Sequence, residues 1–270
     1  MNTEKYIVSF NVAGWNWRIT QEPWKDRLER ACDCIKKEAP DAWLVGLSEV
    51  IPGKDDKYLD VIRQEFPNYV LVVPKAYECN YRSAINVLLI SREGYHGHDT
   101  RVLGSLADSL LYNYIGVNTD YGCFRVLNVH ILQNYNEDKP EWYQKQRKDL
   151  RAVYERSIYE ECMVYKREPD IQFICMGDLN SFSGSSFIEK LSGRVEPVLF
   201  NATRPNDRDL PTWKNPECKS DHIDYIFYSM GSMSAPAIEV YYNDIIDRPI
   251  QEKVSDHAII RGKIKTKMVC

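Results

Sequence analysis

Long apolar runs are missing from this sequence: nowhere do about 18 apolar residues follow one another, so no membrane-spanning helix is predicted. No two of its eight cysteines have the Cys-x-x-Cys spacing of a zinc site. There is no long linker rich in proline, glycine or serine, no internal repeat and no low-complexity tract, and we therefore predict one domain over residues 1–270. A formal net charge of −4 excludes a general basic surface for nucleic acid, although it is compatible with a local basic groove.

The composition is that of an ordinary globular protein, with 44% hydrophobic and 27% charged residues in a chain of 270. The cysteines are scattered: Cys32 and Cys34 share a predicted helix, and Cys175 lies inside an apolar run. We therefore interpret the cysteines as small buried hydrophobic residues rather than as disulfide partners. The first residues lack the apolar region and the cleavage site of a signal peptide, and we expect a cytoplasmic protein.

Apolar runs and helical patterns alternate along the chain. Helical spacing predicts helices over residues 23–39, 58–66 and 141–167. Short apolar runs bounded by turn residues predict strands over residues 6–12, 42–47, 69–73, 84–90, 110–117, 124–132, 171–176, 223–228, 238–242 and 258–264. This order indicates an α/β fold in which two mixed β-sheets pack face to face with helices outside.

Polar groups recur at the ends of the apolar runs. The three segments that carry them are Ser48-Glu49-Val50, Gly177-Asp178-Leu179-Asn180 and Ser255-Asp256-His257, and Asn11 and His130 occupy similar positions. A carboxylate such as Glu49 could hold Mg²⁺, although a single carboxylate at a strand end more often faces solvent. Together the segments predict a metal-dependent site that cleaves phosphoesters.

Asp178 and Asn180 are two positions apart, so in an extended chain their side chains point the same way. The carboxylate could accept a proton from attacking water while the amide fixes its direction; an ordinary Asp/Asn turn is the alternative. His257 could neutralise charge on phosphoryl oxygens. Asp224, flanked by apolar residues, is its predicted partner, because a buried carboxylate needs one.

The other histidines leave alternatives open. His130 could donate to a phosphate oxygen or to the leaving group, or it could be structural. Ser220-Asp221-His222 repeats the Ser-Asp-His triplet, so the pattern alone does not say which copy is catalytic. His96 and His98 lie in a polar, glycine-containing segment that we expect to be an exposed turn.

Seven segments in order resemble the endonuclease/exonuclease/phosphatase superfamily, the group related to pancreatic deoxyribonuclease, abasic-site endonucleases, deadenylases, sphingomyelinases and inositol polyphosphate 5-phosphatases. They are Ser9-Phe10-Asn11-Val12-Ala13-Gly14, Leu47-Ser48-Glu49-Val50, Asn128-Val129-His130-Ile131-Leu132, Gly177-Asp178-Leu179-Asn180-Ser181, Pro211-Thr212-Trp213, Ile223-Asp224-Tyr225-Ile226-Phe227 and Ser255-Asp256-His257. They span nearly the whole chain.

The resemblance implies a four-layer α/β sandwich whose site lies where strand ends of both sheets meet. It further implies a Mg²⁺ cofactor, with Mn²⁺ as the alternative. The implied roles are as follows: Glu49 is the main metal ligand with Asn11 and Asp256 close to the metal, Asp178 activates water, Asn180 aligns the phosphate, and the Asp224–His257 pair stabilises the transition state. It also favours Asp256-His257 over the earlier triplet. Ala13 stands where abasic-site endonucleases have an Asp, which favours other branches and makes a second metal doubtful.

The substrate is less well determined by the sequence. A nucleic acid or nucleotide cleaved by a phosphodiesterase or nuclease is the first hypothesis, and Arg82 is a candidate contact to a substrate phosphate. A phosphomonoesterase or a lipid-headgroup phosphodiesterase, similar to inositol phosphatases or sphingomyelinases, is the second, and a catalytically silent scaffold is the third. The segment 139–151 carries basic residues together with Glu141 and Asp149, and we interpret it as a solvated helix face. No obligate protein partner is evident.

Overall fold

A computed structural model describes residues 2–14, 23–75, 77, 84–104, 112–120, 122–133, 139–165, 171–182, 184–192, 200–201, 211–214, 220–229, 241–242 and 254–267. In chain order these form β1 (Asn2–Asn11), α1 (Trp24–Glu38), β2 (Ala42–Val50), a 3₁₀ turn (Lys54–Asp56), α2 (Lys57–Glu65), β3 (Tyr69–Val72), β4 (Ile85–Ser91), β5 (Tyr95–Thr100), β6 (Tyr112–Thr119), β7 (Gly122–His130), α3 (Glu141–Tyr165), β8 (Gln172–Asp178), α4 (Ser186–Ser192), β9 (Phe200–Asn201), β10 (Trp213–Lys214), β11 (Ser220–Asp221), β12 (Asp224–Tyr228), β13 (Tyr241–Tyr242) and β14 (Ile260–Lys267).

The strands build two large sheets and one short ribbon among the described residues. The first sheet has the order β13-β14-β1-β2-β4-β3, and the second has the order β5-β6-β7-β8-β12-β9. Each sheet contains one parallel pair, β1 with β2 and β7 with β8, and its other pairs are antiparallel. Strands β10 and β11 form the ribbon. Both large sheets are therefore mixed, as the sequence predicts.

Consecutive residues of the central strands face different layers, because side chains alternate across a strand. In β1, Ile7 packs between the two sheets, whereas Val8 packs under the first pair of helices. In β7, Val126 packs between the sheets, whereas Leu127 packs under α3 and α4. Three apolar clusters result, one between the sheets and one beneath each helix layer. The predicted fold, a four-layer α/β sandwich with helices outside, is confirmed.

The helices begin and end where the sequence indicates. Pro23, with φ −54°, precedes α1, and its fixed φ suits the start of a helix. Buried apolar residues of α1 recur at helical spacing on the face that meets the first sheet: Leu28, Ala31, Cys32 and Ile35. Helix α3 differs in its first part, since none of residues 141–150 is buried and the buried face begins at Arg151.

The predicted turn around His96 and His98 is wrong. These residues belong to β5, which pairs with β6 at the edge of the second sheet, and both side chains are exposed as expected. An exposed edge strand lacks the alternating apolar pattern, so only its pairing with β6 defines it. The seven-residue helix α4 was also not predicted, although Phe187, Ile188 and Leu191 bury its inner face.

The interpretation of the cysteines as buried hydrophobic residues is confirmed for Cys32, Cys162 and Cys175 and is wrong for the exposed Cys123. Cys32, Cys162 and Cys175 are buried free thiols, Cys34 is half-buried and Cys123 is exposed. Burial raises the pKa of the Cys175 thiol to about 12, so this residue behaves as a small hydrophobic side chain.

None of the described helices is both long and apolar enough to cross a membrane.

Candidate active site

The carboxyl ends of the two parallel strand pairs bring the predicted polar groups to one edge of the sandwich. Asn11 is the last residue of β1 and pairs with Ser48 of β2, next to Glu49. In the second sheet, the last residues of β7 and β8, His130 and Asp178, pair with each other. Parallel pairing therefore places polar groups from chain-distant segments at one level.

Antiparallel neighbours add the remaining groups to the same edge. Asp224 begins β12 directly opposite Asp178, because these two strands run in opposite directions. His257 lies just before β14, whose first residue, Ile260, pairs with Ser9 of β1. The hydroxyl of Ser255 donates to the Asn11 carbonyl over 2.6 Å and thereby ties this segment to the end of β1.

Asn11 occupies the centre of the cluster and is buried. Its Nδ2 lies 3.2 Å from Glu49 Oε1, 3.0 Å from Asp178 Oδ2 and 3.3 Å from His257 Nε2. Its Oδ1 accepts a hydrogen bond of 2.9 Å from the Ala13 amide. The amide nitrogen, rather than the oxygen that a cation needs, therefore faces the carboxylates, and in this arrangement Asn11 orients its neighbours.

His257 is held by a buried carboxylate. Its Nδ1 lies 2.9 Å from Asp224 Oδ2, and its Nε2 lies 3.8 Å from Asp178 Oδ2. The hydroxyl of Thr212 donates to the same Asp224 oxygen over 2.8 Å and accepts from the Asp224 amide over 3.0 Å. Asp224 thus fixes the imidazole so that Nε2 faces the interior of the cluster.

Three side chains provide a group of atoms that could hold a metal ion. One ligating atom from each of Glu49, His130 and Asp178 lies within 4.8 Å of the others, and His130 Nε2 is 3.6 Å from Glu49 Oε1. Two carboxylates suit Mg²⁺ or Mn²⁺, and the imidazole suits Mn²⁺ better than Mg²⁺. The residues present therefore fit a divalent cation.

Asp256 lies on another side of His257. Its Oδ2 accepts a hydrogen bond of 3.1 Å from Trp213 Nε1, and its Oδ1 is 3.8 Å from His257 Nε2. Among the described residues, Asp256 is not part of the metal-ligating group around Glu49.

The loop after β8 carries Asn180 and is held from below by Arg151 of α3. The backbone N–H of Asn180 donates to Asp178 Oδ1 over 2.8 Å, and the side-chain Nδ2 of Asn180 donates to the Ile131 carbonyl over 2.8 Å. The Arg151 guanidinium, which is 5% exposed, donates to the carbonyls of Asn180 and Leu132 and to the Ser181 hydroxyl. Arg151 thereby joins the ends of β7 and β8 beneath the site.

Strained backbone surrounds the cluster. Ala13, Glu49 and Asn180 have φ of 49°, 60° and 46°, in the left-handed region that costs about 1–3 kcal/mol for a residue other than glycine. The register of β2 against β4 shifts between Leu47 and Val50, which is a bulge around Glu49. Such a bulge re-aims a side chain, and here it turns Glu49 towards Asn11.

Charges within the cluster shift two pKa values. Burial, followed by the charge of Asp224, raises the pKa of Asp178 to about 6, against the opposing effects of His257 and His130. Burial is the largest single influence on His257 and lowers its pKa, but Asp224, Asp256 and Asp178 together outweigh it and raise the pKa well above its ordinary value. The neighbouring groups therefore raise the pKa values of both Asp178 and His257 above their ordinary values.

Comparison with solved structures identifies the fold. TDP2 from C. elegans superposes with a TM-score of 0.67 at 16% identity over 97% of this chain and 75% of that chain. An endonuclease/exonuclease/phosphatase from Bacteroides vulgatus gives 0.64 at 18% over 98% of this chain and 100% of that chain. D. rerio TDP2 complexed with single-strand DNA product gives 0.64 at 12% over 97% and 98% of the two chains.

The chain has the endonuclease/exonuclease/phosphatase fold. This confirms the fold that the seven segments predict. No protein-family model and no curated protein matches the sequence.

Within this endonuclease/exonuclease/phosphatase fold, the structure brings most of the sequence-predicted site residues together. The cluster contains Asn11, Glu49, His130, Asp178, Asn180, Asp224, Asp256 and His257. Arg82 lies outside the described residues. His222 is buried and packs edge-on against Tyr225, with ring centroids 4.8 Å apart.

Several supporting residues were missed or misread. Thr212 and Trp213 were recognised only as a family segment, because no local pattern shows that they bind Asp224 and Asp256. Asn128 is fully buried in β7, and its Nδ2 donates across the sandwich to the carbonyls of Leu47 and Val87 over 3.1 and 3.0 Å. The interpretation of residues 139–151 as a solvated face is wrong for Arg151, which is buried; no local pattern could have shown this.

Proposed function

We propose that this protein is a metal-dependent phosphodiesterase that cleaves nucleic acid or a nucleotide by in-line attack of water. One observation carries the proposal. Asn11 Nδ2 lies within 3.3 Å of Glu49, Asp178 and His257, which come from three distant segments of the chain. Burying charge is costly, so a purely structural role gives no reason for several carboxylates to converge on one imidazole.

Each residue has a role that follows from its position. Asp178, with a pKa near 6, accepts a proton from the attacking water, and Asn180 directs the phosphate. His257, held cationic by Asp224, offers Nε2–H to a non-bridging phosphoryl oxygen and offsets charge as it develops. His130, at the rim of the cluster, donates to another phosphoryl oxygen or to the leaving group.

Glu49, with His130 and Asp178 nearby, would hold the cation. When bound, Mg²⁺ or Mn²⁺ supplies Lewis-acid stabilisation of the phosphoryl oxygens. Mg²⁺ is the first choice because it prefers carboxylate oxygen ligands such as those of Glu49, and Mn²⁺, which accepts the same ligands, is the alternative. Asn11 orients Glu49 and Asp178. Asp256, held by Trp213, places a negative charge 3.8 Å from His257 Nε2.

The substrate class rests on the fold and on one solved relative. D. rerio TDP2, which shares the fold, is complexed with single-strand DNA product, and this supports a nucleic acid substrate. We further propose that the whole chain acts as one domain in the cytoplasm.

The test is hydrolysis of a panel of phosphoesters with Mg²⁺, with Mn²⁺ and with chelator, using His257→Ala as the blank. The panel contains single- and double-stranded DNA, RNA, a dinucleotide, inositol phosphates, sphingomyelin and bis-p-nitrophenyl phosphate. We expect metal-dependent cleavage of the phosphodiesters that have nucleotide groups, lost in the variant.

Two other outcomes would change the proposed function. Selective turnover of sphingomyelin would replace the substrate class while keeping phosphodiester hydrolysis. Selective turnover of inositol phosphates would show that the protein is a phosphomonoesterase instead. Absence of turnover together with absence of metal binding by calorimetry would contradict the proposal and leave a scaffold.

A further inference from the structure

The first part of α3 extends beyond the sheet beside the candidate site. Arg151 is the first buried residue of this helix and contacts the carboxyl ends of β7 and β8 through Leu132, Asn180 and Ser181. Residues 141–150 precede it, and none of them is buried. At 1.5 Å per residue they continue the helix by about 15 Å past the level of Arg151. We call residues 141–150 the projecting segment.

The direction of Arg151 defines which face of the projecting segment lies over the catalytic edge. Residues three and four positions apart share a helix face, so Arg147 and Lys148 lie about 40° and 60° around the helix from Arg151. Asp149 and Trp142 lie about 160° and 180° away, on the opposite side. Two cations therefore share the helix face of Arg151, whose guanidinium contacts the loops at the catalytic edge.

The Arg147 side chain is held by Tyr143. Its Nη1 donates to the Tyr143 hydroxyl over 3.1 Å, and its guanidinium lies 5.8 Å from the centre of the Tyr143 ring. A guanidinium held in place loses less conformational entropy when it binds a phosphate. Lys148 is exposed beside it.

An aromatic side chain completes the surface. Phe182 follows Ser181, the residue that Arg151 holds, and comes two positions after Asn180. Its side chain is 59% exposed. An exposed ring beside a phosphate-directing amide is suited to stack on a base.

We propose that Arg147, Lys148 and Phe182 form a strand-binding wall for single-stranded nucleic acid that continues from the scissile phosphate. This inference rests on the proposed function and narrows its substrate from any nucleotide to a polymer. Arg147 and Lys148 bind backbone phosphates, for which their charge is complementary, and Phe182 stacks on an adjacent base. A flexible single strand can follow the projecting segment, whereas a rigid duplex cannot place a base on Phe182 without unstacking it.

The experiment compares kcat/KM for a single-stranded dodecanucleotide with kcat/KM for a dinucleotide, which is too short to reach the wall. The variants are Arg147→Gln, Lys148→Gln and Phe182→Ala. The matched controls are Arg156→Gln and Lys145→Gln on other faces of α3, and Trp142→Ala, an exposed aromatic on the opposite side. Salt dependence is measured for each.

We expect each of the three wall variants to lower kcat/KM for the dodecanucleotide about tenfold, and to change that for the dinucleotide less than twofold. Loss of either cation should reduce the salt slope by about 0.7. The controls should behave as the unaltered protein.

The inference would be overturned if the wall variants lowered kcat/KM equally for both substrates, if the control variants lowered it as much, or if no wall variant lowered it. Equal kcat/KM for duplex and single-stranded DNA would overturn it as well. A concentration-dependent rise in molecular mass that Arg147→Gln removes would assign the wall to a second copy of the chain instead. If neither the dodecanucleotide nor the dinucleotide is cleaved, the proposed function fails. In that case, fluorescence anisotropy with the labelled dodecanucleotide still decides: length-dependent binding weakened about tenfold in Arg147→Gln would support the wall, and its absence would refute it.

Discussion

His257 and Asp224 are separated by 33 positions in the chain and are joined by a hydrogen bond of 2.9 Å between Nδ1 and Oδ2. The same Asp224 oxygen accepts the Thr212 hydroxyl, so the carboxylate is oriented before it orients the imidazole. Nε2 of His257 is thereby directed towards Asn11 and Asp178. A fixed imidazole requires no reorganisation when charge develops on a substrate, which is the physical basis of the first prediction.

Asp224→Asn is expected to lower kcat by about 10²–10⁴, because the amide no longer stabilises the cationic imidazole. The measurement is steady-state hydrolysis of the best substrate, with circular dichroism to confirm the fold. His222→Ala is the control and should retain most activity, since that ring packs on Tyr225. Inactivation by His222→Ala together with an active His257→Ala would show that the other Ser-Asp-His triplet is catalytic.

Glu49→Gln is expected to raise the metal concentration that gives half-maximal activity by at least about tenfold, because it removes a charged ligand. Titration of activity with Mg²⁺ and Mn²⁺ measures this shift. Asp99, an exposed carboxylate of β5, supplies the matched control Asp99→Asn, which should leave both titrations unchanged. A shift of similar size in the control would indicate a general charge effect.

His130→Gln separates two roles for this histidine. If the imidazole ligates the metal, the variant binds Mn²⁺ at least about tenfold more weakly and loses any preference for Mn²⁺ over Mg²⁺. We expect instead unchanged metal affinity and a lower kcat, because we assign His130 to a phosphoryl oxygen or to the leaving group; its Nε2 lies 3.6 Å from Glu49 Oε1 and 3.7 Å from Asp178 Oδ2. Calorimetry with Mn²⁺ and kinetics on the same preparation decide between them.

Arg151→Lys is expected to lower the free energy of unfolding by about 3 kcal/mol, because a lysine cannot satisfy the separate carbonyls that the planar guanidinium binds. The activity should fall as well, since the Asn180 carbonyl loses its donor. Denaturant unfolding measures the loss. Arg156→Lys, on the exposed face of the same helix, should change stability by no more than about 0.5 kcal/mol.

Gly177→Ala is expected to prevent correct folding. Gly177 has φ +130°, and a Cβ there would lie 2.0 Å from the Val129 carbonyl oxygen of the neighbouring strand. Gly97 has a comparable φ of +148° but open space around it, so Gly97→Ala should fold and lose about 1–3 kcal/mol. Soluble yield and thermal unfolding of the two variants separate steric clash from backbone strain.

The strand and helix pattern followed from the sequence because it is local. Apolar residues two apart face one layer, as with Phe124 and Val126 between the sheets, and helical spacing marks the inner face of α1. The polar groups at strand ends were also visible, because Glu49, Asp178 and His257 each adjoin an apolar run. Edge strand β5 was not visible, since its residues are polar and only its hydrogen bonds to β6 make it a strand.

What the polar groups do to one another was decided by the tertiary structure. Asn11 and His257 are 246 positions apart, and no local pattern says that their side chains lie 3.3 Å apart. The left-handed φ of Glu49 arises from a bulge between β2 and β4, which only their pairing creates. The burial of Arg151 likewise depends on long-range contacts, because its guanidinium binds the segments that follow β7 and β8. Periodicity determined which residues are inside; long-range strand pairing determined which charges meet there.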